Sequence, residues 1–338
     1  MRQRRIKAPP QALTTVYHCV SRVTDGRRIF GPAEKEQFLV LLREYEQFSR
    51  VQILTYCLMS DHFHLLIRVL PQNEHLSNDE VLQRVDVLTS AAITGGLARV
   101  ELKELVAAKD IAGMRAYLER LHDRLGDVSG FVRMLKQRFS RFYNIQMGRG
   151  GTLWQERFNS VLVEDRGEAL LTVAAYIDLN PVRAGLVKDP GAYQWCGYGE
   201  AKAGRRQAKE GLRWVYEQAM GQPGVGAVEA LQEYAALGFV ASPKKSKDDA
   251  AGETKGLAHQ EVLDAIQSKE RVDRGDYLRC RVRYFSDGLA VGSREFVEAV
   301  FQHFRGHFSK KRTSGARRME GLKQELYSAR DLKVKVFG

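Results

Sequence analysis

The strongest constraint on the fold is the run from Val51 to Leu70, VQILTYCLMSDHFHLLIRVL, in which two apolar, β-rich halves meet at Ser60-Asp61. Val, Ile, Thr and Tyr suit a pleated, half-buried backbone and Ser-Asp suits a turn, so the run predicts a hairpin of two core strands. Upstream, Thr14 to Val23 (TTVYHCVSRV) alternates and is rich in β-branched and aromatic residues, which predicts a strand ending near Asp25-Gly26. From Pro32 to Ser49 the apolar positions Phe38, Leu39, Leu41, Leu42, Tyr45 and Phe48 recur at helical spacing, and Pro32 stands where a first turn tolerates it. The first 70 residues therefore read β-α-β-β.

Between Ser77 and Arg124 the chain is Leu- and Ala-rich, consistent with several short helices, and Gly95-Gly96 forbids one continuous rod. Phe131, Met134, Leu135, Phe139 and Phe142 then form one apolar helical stripe, surrounded by Arg133, Lys136, Arg138 and Arg141. A glycine-bearing loop, GRGGTLWQERF, carries Arg149, Trp154 and Arg157, and Glu168 to Asp178 returns to helical periodicity that ends at Asn180-Pro181. Residues 206–240 predict another helix or two. Residues 241–256 (ASPKKSKDDAAGETKG) hold almost no large apolar side chain and predict a flexible linker, because burial there cannot offset the entropy of ordering. Beyond it, Leu263 and Ile266, then Phe296, Val297, Val300, Phe301 and Phe304, predict two amphipathic helices around a Tyr284 to Gly292 stretch with an Asp287-Gly288 turn. The expected organisation is a first domain over 1–205, a helical extension over 206–240, the linker over 241–256 and a basic, mainly helical module over 257–338.

Charge points to the partner. Lys and Arg number 53 against 41 Asp and Glu, a net +12, which predicts attraction to polyanions, nucleic acid first. The excess is uneven: residues 301–338 hold ten cations against Glu320, Glu325 and Asp331. Arg4 and Arg5 read as a phosphate-contacting arm or as a solvated basic tail. Arg133, Lys136, Arg138, Arg141, Arg149 and Arg157 read as phosphate contacts, whereas Phe142, Tyr143 and Trp154 either stack on bases or, the better expectation, are buried. The four cysteines, Cys19, Cys57, Cys196 and Cys280, lie far apart without a CxxC pair, which argues against a zinc knuckle and a disulfide framework and suits a reducing cytosol. No apolar run approaches the roughly 20 residues that span a bilayer, so no membrane partner is expected.

Two patterns could carry chemistry. His62-Phe63-His64 lies in a strand-like run, where alternate residues share a face, so both imidazoles can reach one ion. HxH alone is more often a pair of ordinary core or surface histidines, but in an apolar strand the ring nitrogens need partners, and a metal ion supplies one for each. In AAYIDLNPVRAG, Tyr176 and Asn180 stand at i, i+4 and would share a helix face, although a packing tyrosine and a turn asparagine fit the same text.

Taken in order, VYHCVSRV, YCLMSDHFHLLIRV, GTLWQERFNSVLVE, YIDLNPVRAGLV and YQWCGY resemble the REP-associated tyrosine transposases, a branch of the HUH single-strand transposases related to the IS200-like enzymes. The resemblance covers about residues 12–205. It implies an α+β fold: a ferredoxin-like HUH catalytic domain with an antiparallel sheet, followed here by the mainly helical C-terminal extension. It also implies that His62 and His64 bind Mg²⁺ or Mn²⁺, that Asn180 completes the metal site and that Tyr176 is the nucleophile. The implied activity is nicking and joining of single-stranded or hairpin DNA through a 5′-phosphotyrosine, by a monomer or homodimer in the bacterial cytoplasm, at the nucleoid when bound to DNA. The alternative is a hairpin-DNA-binding regulator that keeps the fold without the chemistry. The serine of the family's WSSY-like motif is replaced by Cys196-Gly197, which reads as a change of packing.

Overall fold

The computed structural model describes residues 15–70, 80, 84, 104, 105, 107–122, 125–239, 259–268 and 270–329. Arg4, Arg5, Gly95-Gly96 and the expected linker over 241–256 lie outside the described residues. In chain order the elements are β1 (Val16–Arg22), α1 (Pro32–Ser49), β2 (Val51–Leu58), β3 (His62–Val69), α2 (Ile111–His122), α3 (Val128–Gln146), β4 (Asn159–Val163), α4 (Gly167–Asp178), α5 (Asn180–Arg183), α6 (Gly197–Lys202), α7 (Arg206–Met220) and α8 (Ala227–Phe239). There follow α9 (His259–Gln267), α10 (Arg274–Tyr277), α11 (Tyr284–Asp287), β5 (Ala290–Gly292), α12 (Arg294–His303), β6 (Arg317–Arg318) and β7 (Tyr327–Ser328).

The sheet runs β2-β3-β1-β4-β5-β7-β6. Its first four strands have α1 between β1 and β2, and α2 and α3 between β3 and β4, which is the β-α-β-β-α-β order of a ferredoxin-like fold with one helix added. The expected hairpin is present: Met59 to Asp61 connect β2 to β3, and the Met59 amide donates to the His62 carbonyl at 2.9 Å. β1 pairs antiparallel with β4, His18 opposite Val161. It lies between β3 and β4, so Val16 to Ser21 are all buried, as suits a strand with neighbours on both edges. β4 was not expected from the sequence, because NSVLV is short and does not alternate.

The C-terminal segment is not a separate module. β5 pairs parallel with β4 (Leu162 opposite Ala290), β7 pairs antiparallel with β5, and β6 with β7, so this mainly helical segment also extends the sheet by three short strands. The physical reason is edge completion: β4 would otherwise leave a row of backbone groups without ladder partners. Here the Leu162 amide donates to the Leu289 carbonyl and the Glu164 amide to the Val291 carbonyl, both at 3.0 Å.

The chain divides into two compact units: one takes Ile53–Ile67 and everything from Asn159 with the chain up to Ser21, the other Arg22–Gln52 and Arg68–Phe158. In the first, α4 is buried from Ala169 to Asp178, and Leu54, Leu66, Val161 and Val163 belong to the same core as its Leu170, Leu171, Val173 and Ile177. Helix α7 reaches this core through Gly211, where a Cβ would lie 2.5 Å from the Leu54 carbonyl oxygen and 2.7 Å from that of Ile53. The replaced motif serine also finds its account. The Cys196 thiol caps α6 by accepting from the Gly199 amide at 3.3 Å, a serine-like role, and a Cβ on Gly197 would collide with Thr55 Oγ1.

The second unit packs α1 against α3. Phe30 stacks on Phe139 at 4.8 Å between ring centroids and Phe38 meets Phe139 edge-on at 5.3 Å. The stripe expected on α3 is the buried face, with Phe131, Leu135 and Phe139 fully enclosed.

Candidate functional site

His62 and His64 open β3, and strand alternation brings their rings to 5.2 Å between centroids, nearly perpendicular. Each ring engages a protein partner through Nδ1: His62 meets Asp61 Oδ1 at 2.7 Å and His64 meets His18 Nε2 at 2.9 Å. His62 retains 13% side-chain exposure, whereas His64 is 2% exposed. Among the described residues no group of three or more His, Cys, Asp or Glu is placed to hold a metal ion. The polar side chains that touch the pair are the Asp61 carboxylate, at His62, and the His18 imidazole, at His64.

Tyr176 stands on α4 with its ring 6.1 Å from that of His64 and 6.2 Å from that of His18, edge-on to both. It is 3% exposed. Phe285 packs against it at 4.7 Å, and the Arg183 guanidinium lies over its ring at 4.0 Å from the centroid. Arg183 also donates to the Tyr176 and Leu278 carbonyls, both at 2.7 Å, so one guanidinium ties α4 to the C-terminal segment. Burial holds its pKa below the ordinary arginine value.

Asn180 opens α5, one residue beyond the Leu179 cap of α4, and its Nδ2 donates back to the Ile177 carbonyl at 3.2 Å, in the manner of a side chain that finishes a helix end. The amide oxygen is the group on this side chain that could serve a cation. Two residues earlier, Asp178 is fully buried: Oδ1 accepts from Thr55 Oγ1 at 2.8 Å and the Tyr198 amide at 3.0 Å, and Oδ2 accepts from the Tyr234 hydroxyl at 2.6 Å. Burial, only partly offset by those three donors, lifts its pKa to about 7. This carboxyl braces α4, and with it Tyr176, against β2, α6 and α8.

Sequence reasoning missed three residues at this site. His18 is enclosed in β1, and its Nδ1 lies 2.7 Å from the Phe285 carbonyl oxygen. Burial, aided by the charge of Arg183, lowers its pKa to about 4, so the ring is neutral. The signal existed, since a histidine in the apolar run VYHCV needs partners for its nitrogens as much as those of HFH do. Arg183 had a similar signal in NPVRAGLV. Phe285 had none, being 267 residues from His18 along the chain.

The cations proposed for DNA divide by burial. Arg133, Arg141 and Arg157 are exposed, and Arg149 is half-buried. Arg138 is half-buried and donates from Nε to the Tyr45 hydroxyl at 2.7 Å. Lys136 corrects the expectation: it is buried, donates to the Glu156 carbonyl at 2.9 Å and lies 5.1 Å over the Trp154 ring, because the face of α3 that carries it is the packed one. Trp154 is buried too, its indole N–H bonded to Ser140 Oγ at 2.8 Å, so that ring is packing surface.

The fold and this cluster define a ferredoxin-like protein with a histidine pair on β3 faced by a helix-borne tyrosine. Residues 12–94 match the family described as Transposase IS200 like, and over that segment, which carries β1 to β3 and both histidines, the chain resembles a transposase. No curated protein matches the chain. Among solved structures it is similar to one titled as a REP-associated tyrosine transposase bound to a REP hairpin, at 12% identity and a TM-score of 0.38, over 60% of this chain and 87% of that one. No helix among the described residues is long and apolar enough to cross a membrane.

Proposed function

We propose that the protein is a metal-dependent enzyme that nicks and rejoins single-stranded or hairpin DNA with Tyr176 as nucleophile. The observation that carries this reading is the convergence of the β3 histidines with Tyr176 on α4, His64 and the tyrosine ring lying 6.1 Å apart. The resemblance of residues 12–94 to IS200-like transposases and the net charge of +12 support a DNA substrate.

The residues fit a hard or borderline divalent ion. Two imidazoles are held through Nδ1, by Asp61 and His18, with an outer hydrogen bond of the kind that sets a ligating ring, and the family resemblance adds the Asn180 amide oxygen as a third donor of suitable type. His62, His64 and Asn180 would hold Mg²⁺ or Mn²⁺, which when bound polarises the scissile phosphate and offsets its developing charge. Tyr176 supplies the attacking oxygen: its Oη–P bond forms as the P–O3′ bond breaks, the phenol proton is released and the leaving 3′ oxygen takes one up. Arg183 holds the ring in place through the ring face and the Tyr176 carbonyl, and its charge would favour the anionic phenol and a phosphate bound there. Because the phosphodiester bond is exchanged for a phosphotyrosine, a 3′-hydroxyl can reverse the step without a nucleotide cofactor.

A second reading, a hairpin-DNA binder without chemistry, draws on the enclosure of Tyr176 between Phe285 and Arg183. One experiment separates the two. The protein is incubated with labelled hairpin oligonucleotides and Mg²⁺ or Mn²⁺, and a denaturation-resistant protein–DNA band is sought. A band lost in both Tyr176→Phe and His64→Ala is the expected result. Tight binding without a band from any hairpin would move the assignment to the binder.

A further inference from the structure

We infer that His18, held by the Phe285 carbonyl, is a positioning residue that fixes His64 as its Nδ1–H tautomer and thereby turns the Nε2 lone pair into the ligand nitrogen. The inference deepens the metal-site reading above and, for its last step, rests on it.

A neutral imidazole carries one N–H, and which nitrogen bears it is set by what the other ring atoms meet. A carbonyl oxygen can only accept, so the 2.7 Å contact between His18 Nδ1 and the Phe285 oxygen requires the hydrogen on His18 Nδ1. The ring is fully buried, and its single N–H is spent on that carbonyl. His18 Nε2 is therefore an acceptor. The 2.9 Å contact with His64 Nδ1 then needs its hydrogen from His64. A neutral His64 with its proton on Nδ1 has its lone pair on Nε2, the form in which an imidazole binds a metal ion.

The relay gives the C-terminal segment a role that charge did not suggest. Phe285 stands on α11, a single turn just before β5, and β5 is anchored to β4. The same residue covers Tyr176 with its ring and orders His18 with its carbonyl. The segment thus acts on the tautomer of a β3 histidine through one intermediate imidazole.

The test uses the full-length, metal-free protein labelled with ¹⁵N-histidine, in which two-bond proton–nitrogen correlations report the tautomer of each ring, and His64→Gln assigns the His64 signals. His64 is expected as Nδ1–H. In His18→Phe, which keeps a buried ring but offers no acceptor, His64 should change tautomer, and Mn²⁺ affinity, read from the paramagnetic resonance of free Mn²⁺, should fall by about 10–100-fold. His18→Gln, whose amide oxygen can take the place of Nε2, should restore the Nδ1–H form and most of the affinity, which a merely space-filling role would not predict. A wild-type His64 found as Nε2–H overturns the inference, and so does a tautomer indifferent to His18→Phe. The wild-type spectrum decides even if that variant does not fold. The expected tautomers without any Mn²⁺ binding would uphold the relay and overturn the metal site.

Discussion

Replacing Asp178 by Asn should make the protein's stability respond differently to pH. In the folded chain the carboxyl is fully buried with its pKa lifted from 3.8 to about 7, chiefly by loss of hydration. A pKa raised on folding means that stability from this group is fully present below pH 3.8 and is lost as pH rises through about 7. Between pH 5 and 8 that loss amounts to about 2–3 kcal/mol. Asparagine cannot titrate, yet it keeps the contacts: Oδ1 accepts from Thr55 and the Tyr198 amide, and Nδ2 donates to the Tyr234 oxygen in place of the bond now received by Oδ2. Urea unfolding of both proteins at pH 5, 6, 7 and 8, followed by far-ultraviolet circular dichroism, gives a difference in which all other titrations cancel. The unfolding free energy of the Asp178→Asn protein minus that of the wild type should rise by about 2–3 kcal/mol across that range. A difference that stays flat to within about 0.5 kcal/mol would show that Asp178 titrates as it does in the unfolded chain, and the account of its burial would fail.

Three further outcomes are expected. Gly211→Ala should destabilise by about 1–3 kcal/mol in thermal unfolding, since its Cβ would press on the Leu54 and Ile53 carbonyls and part α7 from β2. Gly197→Ser, which restores a serine where the motif has one, should also destabilise because Thr55 occupies the space, while Cys196→Ser keeps the α6 cap and should stay within about 1 kcal/mol of wild type. Alanine at Arg133, Arg141 or Arg157 should each weaken hairpin-DNA binding and reduce the salt slope by about one, measured by fluorescence anisotropy across a salt series; Lys136→Met should lower stability and leave that slope unchanged.

Much of the fold was legible because it is written in local patterns. Helix α1 begins at Pro32 and ends at Ser49, as its apolar spacing predicts, and the β2-β3 hairpin turns at the expected Ser60-Asp61. Of the candidate site, strand alternation makes the His62–His64 pair legible, whereas the helical spacing of Tyr176 and Asn180 did not show that the helix ends at Asp178 and that the Asn180 amide turns back to the Ile177 carbonyl. What was not legible depends on pairing across the chain. NSVLV becomes a strand because β1 lies beside it, and AVG becomes one because β4 does. Neither stretch is long enough to declare itself. The burial of Lys136 was hidden for a related reason, since the α3 pattern fixes a stripe but not how far its margins are covered.

The parallel pairing of β4 with β5 has a consequence for how the protein is made. Val163 and Ala290 belong to adjoining strands, yet at about 5–20 residues per second a ribosome needs roughly 6–25 s to advance from one to the other. During that interval β4 is a bare edge, and His18 lacks the carbonyl that orders its ring. The nascent chain is therefore exposed to mispairing at one strand while its histidine cluster is still unset, and both conditions end in the same event, the arrival of residues 285–291.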